Sequence, residues 1–185
     1  MLKDFLIKKP SDLTSKQAMI LGTAGLTALQ CAFTTKLARE ELLLGEKVEN
    51  VLVTGASGGV GSITVMILNK LGCNVTAVTS KESNNEYLKS IGAKNITKSS
   101  DLDKEARPLD KGIWDGAVDT VGGNILSNVL PHIKENGIVA AVGNASGIKL
   151  NTTVMPFIIR GVKLWGIDSV HTSSKRREFL WGEAS

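Results

Sequence analysis

Two hydrophobic rhythms alternate along this 185-residue chain. Short apolar runs rich in Val, Ile and Thr, at residues 51–54, 74–78, 93–97, 114–119, 137–142 and 162–167, read as strands. Runs of this length, bounded by Gly, Asn or charged residues, suit a pleated and largely buried segment. Between them apolar positions recur at helical spacing over residues 16–21, 23–38, 62–71, 84–91, 124–133 and 153–160. Ser11, Asp12 and Ser15 are candidate starts for the first helix, and Gly72 and Gly92 stand where a left-handed residue ends one. Residues 98–111 are polar and read as a connecting segment.

Strands that alternate with helices pair in parallel through right-handed crossovers. The pattern therefore predicts an α/β, Rossmann-like doubly wound fold, with a parallel six-stranded sheet of order 3-2-1-4-5-6 and helices on both faces. Ligands in such a sheet lie at the C-terminal strand ends where the order reverses. At the end of the first strand stands Val53-Thr54-Gly55-Ala56-Ser57-Gly58-Gly59-Val60-Gly61. A strand that feeds a glycine-rich turn and then a helix is the context a dinucleotide site requires. Residues without Cβ let the chain turn tightly and let the pyrophosphate approach the backbone at a helix N-terminus. Gly58 and Gly61 take the second and third glycine places of G-x-G-x-x-G, while Ala56 takes the first and Gly55 precedes it. A P-loop counted from Gly55 needs glycine where Val60 stands, followed by lysine, and fails on both.

The end of the second strand speaks to the cofactor. An acidic residue there binds free ribose hydroxyls and repels a 2′-phosphate, whereas hydroxyls and a cation do the reverse. This chain has Thr79-Ser80-Lys81, which favours NADPH (NADP).

Composition narrows the class further. Hydrophobic residues make up 42% of the chain and the net charge is +4, values of a globular domain without a concentrated basic stripe, so nucleic acid is not an expected partner. The 2 cysteines, Cys31 and Cys73, are too few for a zinc site and read as reduced thiols, which with Asp4 in a weakly apolar N-terminus predicts a cytoplasmic protein without a signal peptide or membrane anchor. His132 reads as a surface or capping residue, and His171 as a residue without an evident partner. Tyr87 lacks the lysine four residues later that short-chain reductases use. Trp114, Trp165 and Trp181 read as packing residues.

The ordered set Leu21-Gly22-Thr23-Ala24-Gly25, Thr54 to Gly61, Asp119-Thr120-Val121-Gly122 and Gly166-Ile167-Asp168-Ser169-Val170 resembles the zinc-independent quinone oxidoreductase branch of the medium-chain dehydrogenase/reductase superfamily. With Glu86-Tyr87-Leu88-Lys89 and Thr153-Val154-Met155-Pro156-Phe157 it is most similar to the acryloyl-CoA reductase group. The resemblance covers nearly the whole chain. It implies NADPH-dependent reduction of an activated C=C bond in an enoyl thioester or quinone-like small molecule, with no metal. By position it implies Ser57, Gly58, Gly59, Val60 and Gly61 at the pyrophosphate and Ser80 and Lys81 at the adenosine phosphate. Val121, Gly143 and Asn144 would flank the nicotinamide, and Thr23, Asp168 and Ser169 would lie near a domain junction. No catalytic residue is implied.

Members of the branch carry a β-rich catalytic domain ahead of the segment equivalent to Met1 and a longer tail. Residues 1–22 thus read as a junction from a missing catalytic domain, 23–170 as the dinucleotide-binding domain, and 171–185 as the start of a truncated C-terminal helix. Two readings stay open: the cofactor domain of such an oxidoreductase, as a homodimer or joined to a catalytic domain, or a stand-alone dinucleotide-binding module without turnover.

Overall fold

Six strands form the centre of the molecule: β1 (Asn50–Val53), β2 (Asn74–Thr79), β3 (Ala93–Lys98), β4 (Trp114–Asp119), β5 (Ile133–Ala141) and β6 (Lys163–Gly166). They make one sheet of order β3-β2-β1-β4-β5-β6, with each neighbouring pair parallel, as the alternating pattern predicts. The computed structural model describes residues 6–105 and 107–184, and expectations that fall on residues 1–5, Ala106 and Ser185 lie outside them.

The sheet is covered on both faces because its central strands are apolar on both. Val51 and Val53 of β1 join Cys31, Val65, Leu68 and Val75 in one core cluster. Leu52, between them, belongs to another with Trp114, Leu126, Val129 and Val139. Successive strand residues point to opposite faces, so one three-residue run serves two cores. The first core lies against α1 (Ser15–Thr35) and α3 (Gly59–Lys70), and the second against α6 (Gly123–Val129). The remaining helices are α2 (Leu37–Leu42), α4 (Asn85–Ser90), α5 (Ser99–Leu102), α7 (Met155–Arg160) and α8 (Ser174–Glu183). At the N-terminal edge of the sheet Asp115 accepts the amides of Glu49 and Asn50 at 3.2 and 2.8 Å and pairs with Lys134 at 3.1 Å, tying that edge together.

Several boundaries differ from the pattern. The first helix is capped by Thr14, not by Ser11, Asp12 or Ser15. Gln17 completes a capping box with Thr14, and the earlier candidates lack that reciprocal partner. Gly22 breaks this helix with φ 41° and ψ −140°, where the pattern separates its two halves. The helix after β1 begins at Gly59, three residues before the expected 62, because its first turn is made of the glycines themselves. The segment read as a helix to 133 stops at Val129, passes through a 3-10 turn at Leu130–His132 and enters β5 at Ile133. Polar Lys134, Glu135 and Asn136, with Asn136 at φ 57°, disguise the start of that strand. The polar connector contains α5, anchored by buried Leu102. Trp114 is buried but Trp165 is 49% exposed on edge strand β6, so Trp165 does not pack as expected. The stretch Ser15–Leu42 is long and apolar enough to cross a bilayer by composition, yet 56% of its most apolar window is buried inside the fold, as in a core helix.

Candidate functional site

In a parallel sheet all C-terminal strand ends lie on one edge, and here the order reverses between β1 and β4. The segments that follow β1, β2, β4 and β5 at that edge carry every residue expected in a cofactor site.

The turn after β1 is built by close backbone approach. Gly55 has φ 56°, and a Cβ on it would lie 2.2 Å from the Thr120 hydroxyl oxygen. A Cβ on Gly61 would lie 2.3 Å from the Gly55 carbonyl oxygen, so the third motif glycine lets α3 rest on the turn. Gly58 donates its amide to Gly55 O at 2.9 Å and accepts Ser62 N at 2.9 Å, the first helical bond of α3. The amides of Gly59, Val60 and Gly61 precede that bond. Among the described residues no side chain caps this helix and no acidic residue lies in its first turn, so its positive end is left uncompensated. Ser57, Gly58 and Gly59 are exposed, Val60 is half-buried and Gly61 is buried.

Beyond β2, Ser80 and Lys81 are both exposed, and the Lys81 amide donates to Thr79 Oγ1 at 3.3 Å. Glu82, the acidic neighbour of this corner, pairs with Lys98 at the end of β3, and that ammonium holds the Glu82 carboxyl below its usual range. Lys98 therefore offsets the Glu82 carboxylate next to the corner.

Thr120 and Val121 follow β4, and Gly143 and Asn144 follow β5. Val121 and Gly143 are half-buried and Asn144 is exposed. The two segments interlock: Val142 N donates to Asp119 O at 2.9 Å and Ser146 N to Val121 O at 2.7 Å. A Cβ on Gly143 would lie 2.0 Å from Thr120 O. An open groove runs from Gly143 and Asn144 to Gly166, Ile167 and Asp168 after β6. Asp168 holds this last loop by accepting the amides of Val170 and His171 at 2.8 and 3.0 Å and meeting the His171 ring at 2.8 Å. The His171 amide, its ring and the Val170 amide pull the Asp168 carboxyl down to about 2. His171, without an evident partner in the sequence, thus has one. His132 is half-buried and stacks edge-on against Trp114 at 5.8 Å. Thr23 and Ser169 do not line this groove.

Sequence reasoning missed the buried carboxylate at the centre. Asp119 has no accessible surface, and burial pushes its carboxyl above the usual range against hydrogen bonds from Thr54 and the amides of Gly122 and Val121. The sequence carried it as an acidic residue ending an apolar strand and opening the Asp119-Thr120-Val121-Gly122 motif, neither of which names its bonding partners. A separate polar cleft involves Asp103, Lys104, Glu105, Arg107 and Asn124. Its mixed charges favour no one sign of ligand, and it holds none of the expected site residues.

A family profile described as zinc-binding dehydrogenase matches residues 59–181, and the chain belongs to that family. The probable acrylyl-CoA reductase AcuI of Escherichia coli is 47% identical over 178 residues, covering 96% of this chain and 53% of that protein. The putative quinone oxidoreductase YhfP of Bacillus subtilis is 43% identical over 183 residues, covering 98% and 54%. A crystal structure of YhfP with NAD bound has a TM-score of 0.88 at 40% identity and covers 96% of this chain and 53% of that one. The yhdH oxidoreductase from Salmonella enterica in complex with NADP has a TM-score of 0.90 at 48% identity, with coverage of 97% and 54%. The resemblance and the fold read from the sequence are both borne out. The chain spans about half the length of the curated relatives it matches. Among the described residues no group of three or more His, Cys, Asp or Glu is placed to hold a metal ion.

Proposed function

We propose that this chain is the NADPH-binding domain of a zinc-independent oxidoreductase that reduces an activated C=C bond in an enoyl thioester such as acryloyl-CoA, or in a quinone-like compound. The observation that carries this reading is the uncapped, carboxylate-free start of α3 on an exposed glycine turn at the point of strand reversal. Such a start presents amides and a positive helix end to a pyrophosphate. The turn also fits such a group sterically, since two of its three exposed residues, Gly58 and Gly59, have no side chain and the third, Ser57, offers a hydroxyl. Relatives named for acrylyl-CoA and quinone reduction, and a similar structure in complex with NADP, support the assignment. YhfP was crystallised with NAD, so this architecture accommodates either dinucleotide. The hydroxyl-and-cation corner at Ser80 and Lys81 then selects NADPH here.

In this reading Ser57 and the Gly58 to Gly61 backbone bind the pyrophosphate, Ser80 and Lys81 bind the 2′-phosphate, and Val121, Gly143 and Asn144 flank the nicotinamide. NADPH held by these residues would supply the hydride for the β-carbon of the conjugated bond, with a proton added at the α-carbon to complete the reduction. The chain's own contribution is to orient that donor and wall one side of the cleft, which converts a bimolecular encounter into a positioned one. Residues 23–170 form the dinucleotide-binding unit, residues 1–22 the junction with a catalytic domain, and residues 171–185 the start of a C-terminal helix. We place the protein in the cytoplasm, as a homodimer or in association with a catalytic domain. Exposed Leu6, Met19 and Ile20 support such an association.

The alternative is a dinucleotide-binding module without turnover. Calorimetric titration with NADPH and NADH, together with an enoyl-CoA reduction assay with and without a supplied catalytic domain, tests both. We expect tighter binding of NADPH than NADH, and turnover only when the catalytic domain is present. Equal affinity for the two cofactors removes the NADPH assignment, and reduction by this chain alone shows that it holds the full catalytic apparatus.

A further inference from the structure

Thr54, just after β1, and Asp119, at the end of β4, are 65 residues apart in sequence and share one buried set of hydrogen bonds. The Thr54 hydroxyl donates to Asp119 Oδ1 at 2.6 Å and accepts the Thr120 amide at 3.0 Å. The Thr120 hydroxyl donates to the Thr54 carbonyl at 2.9 Å, and the Gly122 amide donates to Asp119 Oδ2 at 2.8 Å. Thr120 fits because Gly55 has no side chain: a Cβ there would lie 2.2 Å from Thr120 Oγ1. Thr54 and Asp119 have no accessible surface. Among the described residues the groups that hold the carboxyl of Asp119 are a hydroxyl and two amides, with no cation among them. A carboxyl buried without a counter-charge is a costly way to fill a core, and an apolar side chain would fill it at less cost. What the carboxyl adds is direction, because each of its bonds ends on one of the two segments that border the switch point.

We propose that Asp119 is a positioning residue. Acting through Thr54, it fixes the glycine turn after β1 against the loop after β4, so that the pyrophosphate and nicotinamide ends of NADPH meet surfaces already in register. This inference rests on the cofactor reading above. The gain is preorganisation: two loops held in place by the fold need not be ordered by the ligand. Asp119 touches no part of the cofactor in this assignment. The adenosine phosphate corner at Ser80 and Lys81 lies outside the network.

The test compares NADPH with 2′,5′-ADP, which engages the adenosine corner but neither the nicotinamide side nor the full pyrophosphate. In the 185-residue chain, Asp119→Asn and Thr54→Val should each weaken NADPH by roughly tenfold while changing 2′,5′-ADP by less than about twofold. Thr54→Ser, which keeps the hydroxyl, should restore NADPH affinity. Circular dichroism confirms the fold of each variant, and if Asp119→Asn fails to fold the Thr54 pair decides the question. Unchanged NADPH affinity in folded Thr54→Val overturns the proposal. So does an equal loss for both ligands, which marks a merely structural role. If the unsubstituted chain binds 2′,5′-ADP and NADPH not at all, the cofactor reading itself falls, and that result is seen before any variant is made.

Discussion

The turn after β1 and the loop after β4 meet at the same edge of the sheet but are made in different ways. The first presents mainly backbone: glycines in close approach to neighbouring atoms, a helix start without a side-chain cap and an exposed outer surface, with the Thr54 side chain as its tie to the second. The second is held by side chains, with Asp119, Thr54 and Thr120 bonded to one another under a half-buried Val121. A backbone turn can present bare amides to an anion, whereas a side-chain network is suited to fixing where a neighbouring surface lies. The contrast assigns anion binding to the first region and alignment to the second.

The sharpest way to break this comparison is within the glycine turn, where two glycines only a few residues apart should behave differently. A Cβ on Gly61 would sit 2.3 Å from Gly55 O and 2.8 Å from Ala56 Cα, both backbone atoms that have little room to move. Gly61→Ala should therefore cost about 3 kcal/mol or more in stability and lower the melting temperature by roughly 6–12 °C. Gly58 has φ −77° and ψ 173°, an ordinary extended conformation, and its Cβ would lie 3.2 Å from Gly55 O. Gly58→Val should cost only about 1 kcal/mol of stability yet weaken NADPH by at least about a hundredfold, because its side chain occupies pyrophosphate space. Calorimetry and thermal melts on both variants check this, and normal affinity in folded Gly58→Val removes the phosphates from this loop.

A smaller effect belongs to the corner after β2. The loss of one charge-assisted contact to a phosphate is worth about 1.5–3 kcal/mol, so Lys81→Ala should weaken NADPH by roughly tenfold or more and leave NADH nearly unchanged. Equal weakening of both nucleotides, measured by titration, would show that Lys81 does not read the 2′-phosphate.

The same contrast explains what was legible in the sequence. The sheet order and the glycine turn were readable because each depends on local pattern: apolar runs of strand length, and glycines whose spacing lies within a single turn. The Asp119 network was not, because its partner Thr54 lies 65 residues away and threonine at a strand end carries no particular message. Boundaries failed where a local signal misled. Lys134, Glu135 and Asn136 hid the first turn of β5, and the glycines that mark a turn also began a helix at Gly59. His171 became interpretable only when the loop after β6 brought it to Asp168, although the two are three residues apart. The sequence held the pair, but not the backbone bend that lets them meet.

That pair allows one more comparison, between the carboxylate that ends β4 and the one that follows β6, and it carries the smallest expected effect. Asp119 is buried, and its carboxyl is raised by desolvation. Asp168 is exposed, and the His171 amide and ring with the Val170 amide lower it to about 2. The two linkages therefore have opposite signs. For Asp119 the folded value lies above the unfolded one. Its protonation favours the fold fully below the ordinary carboxylate value of 3.8, and that contribution is lost as pH rises through the folded value. For Asp168 the folded value lies below the ordinary 3.8, so its contribution is present above that value and is lost as pH falls through about 2. Carboxyl carbon NMR titration, with Asp119→Asn and Asp168→Asn to assign the resonances, should find the Asp119 midpoint above and the Asp168 midpoint below the ordinary value. The Val170 and His171 amide shifts should follow the Asp168 titration, since those amides donate to it, while the Gly122 amide should follow Asp119. Coincident midpoints would mean that the loop after β4 is open to water. Its carboxyl would then no longer be a buried anchor, and the distinction between a backbone turn that binds and a side-chain network that aligns would lose its physical basis.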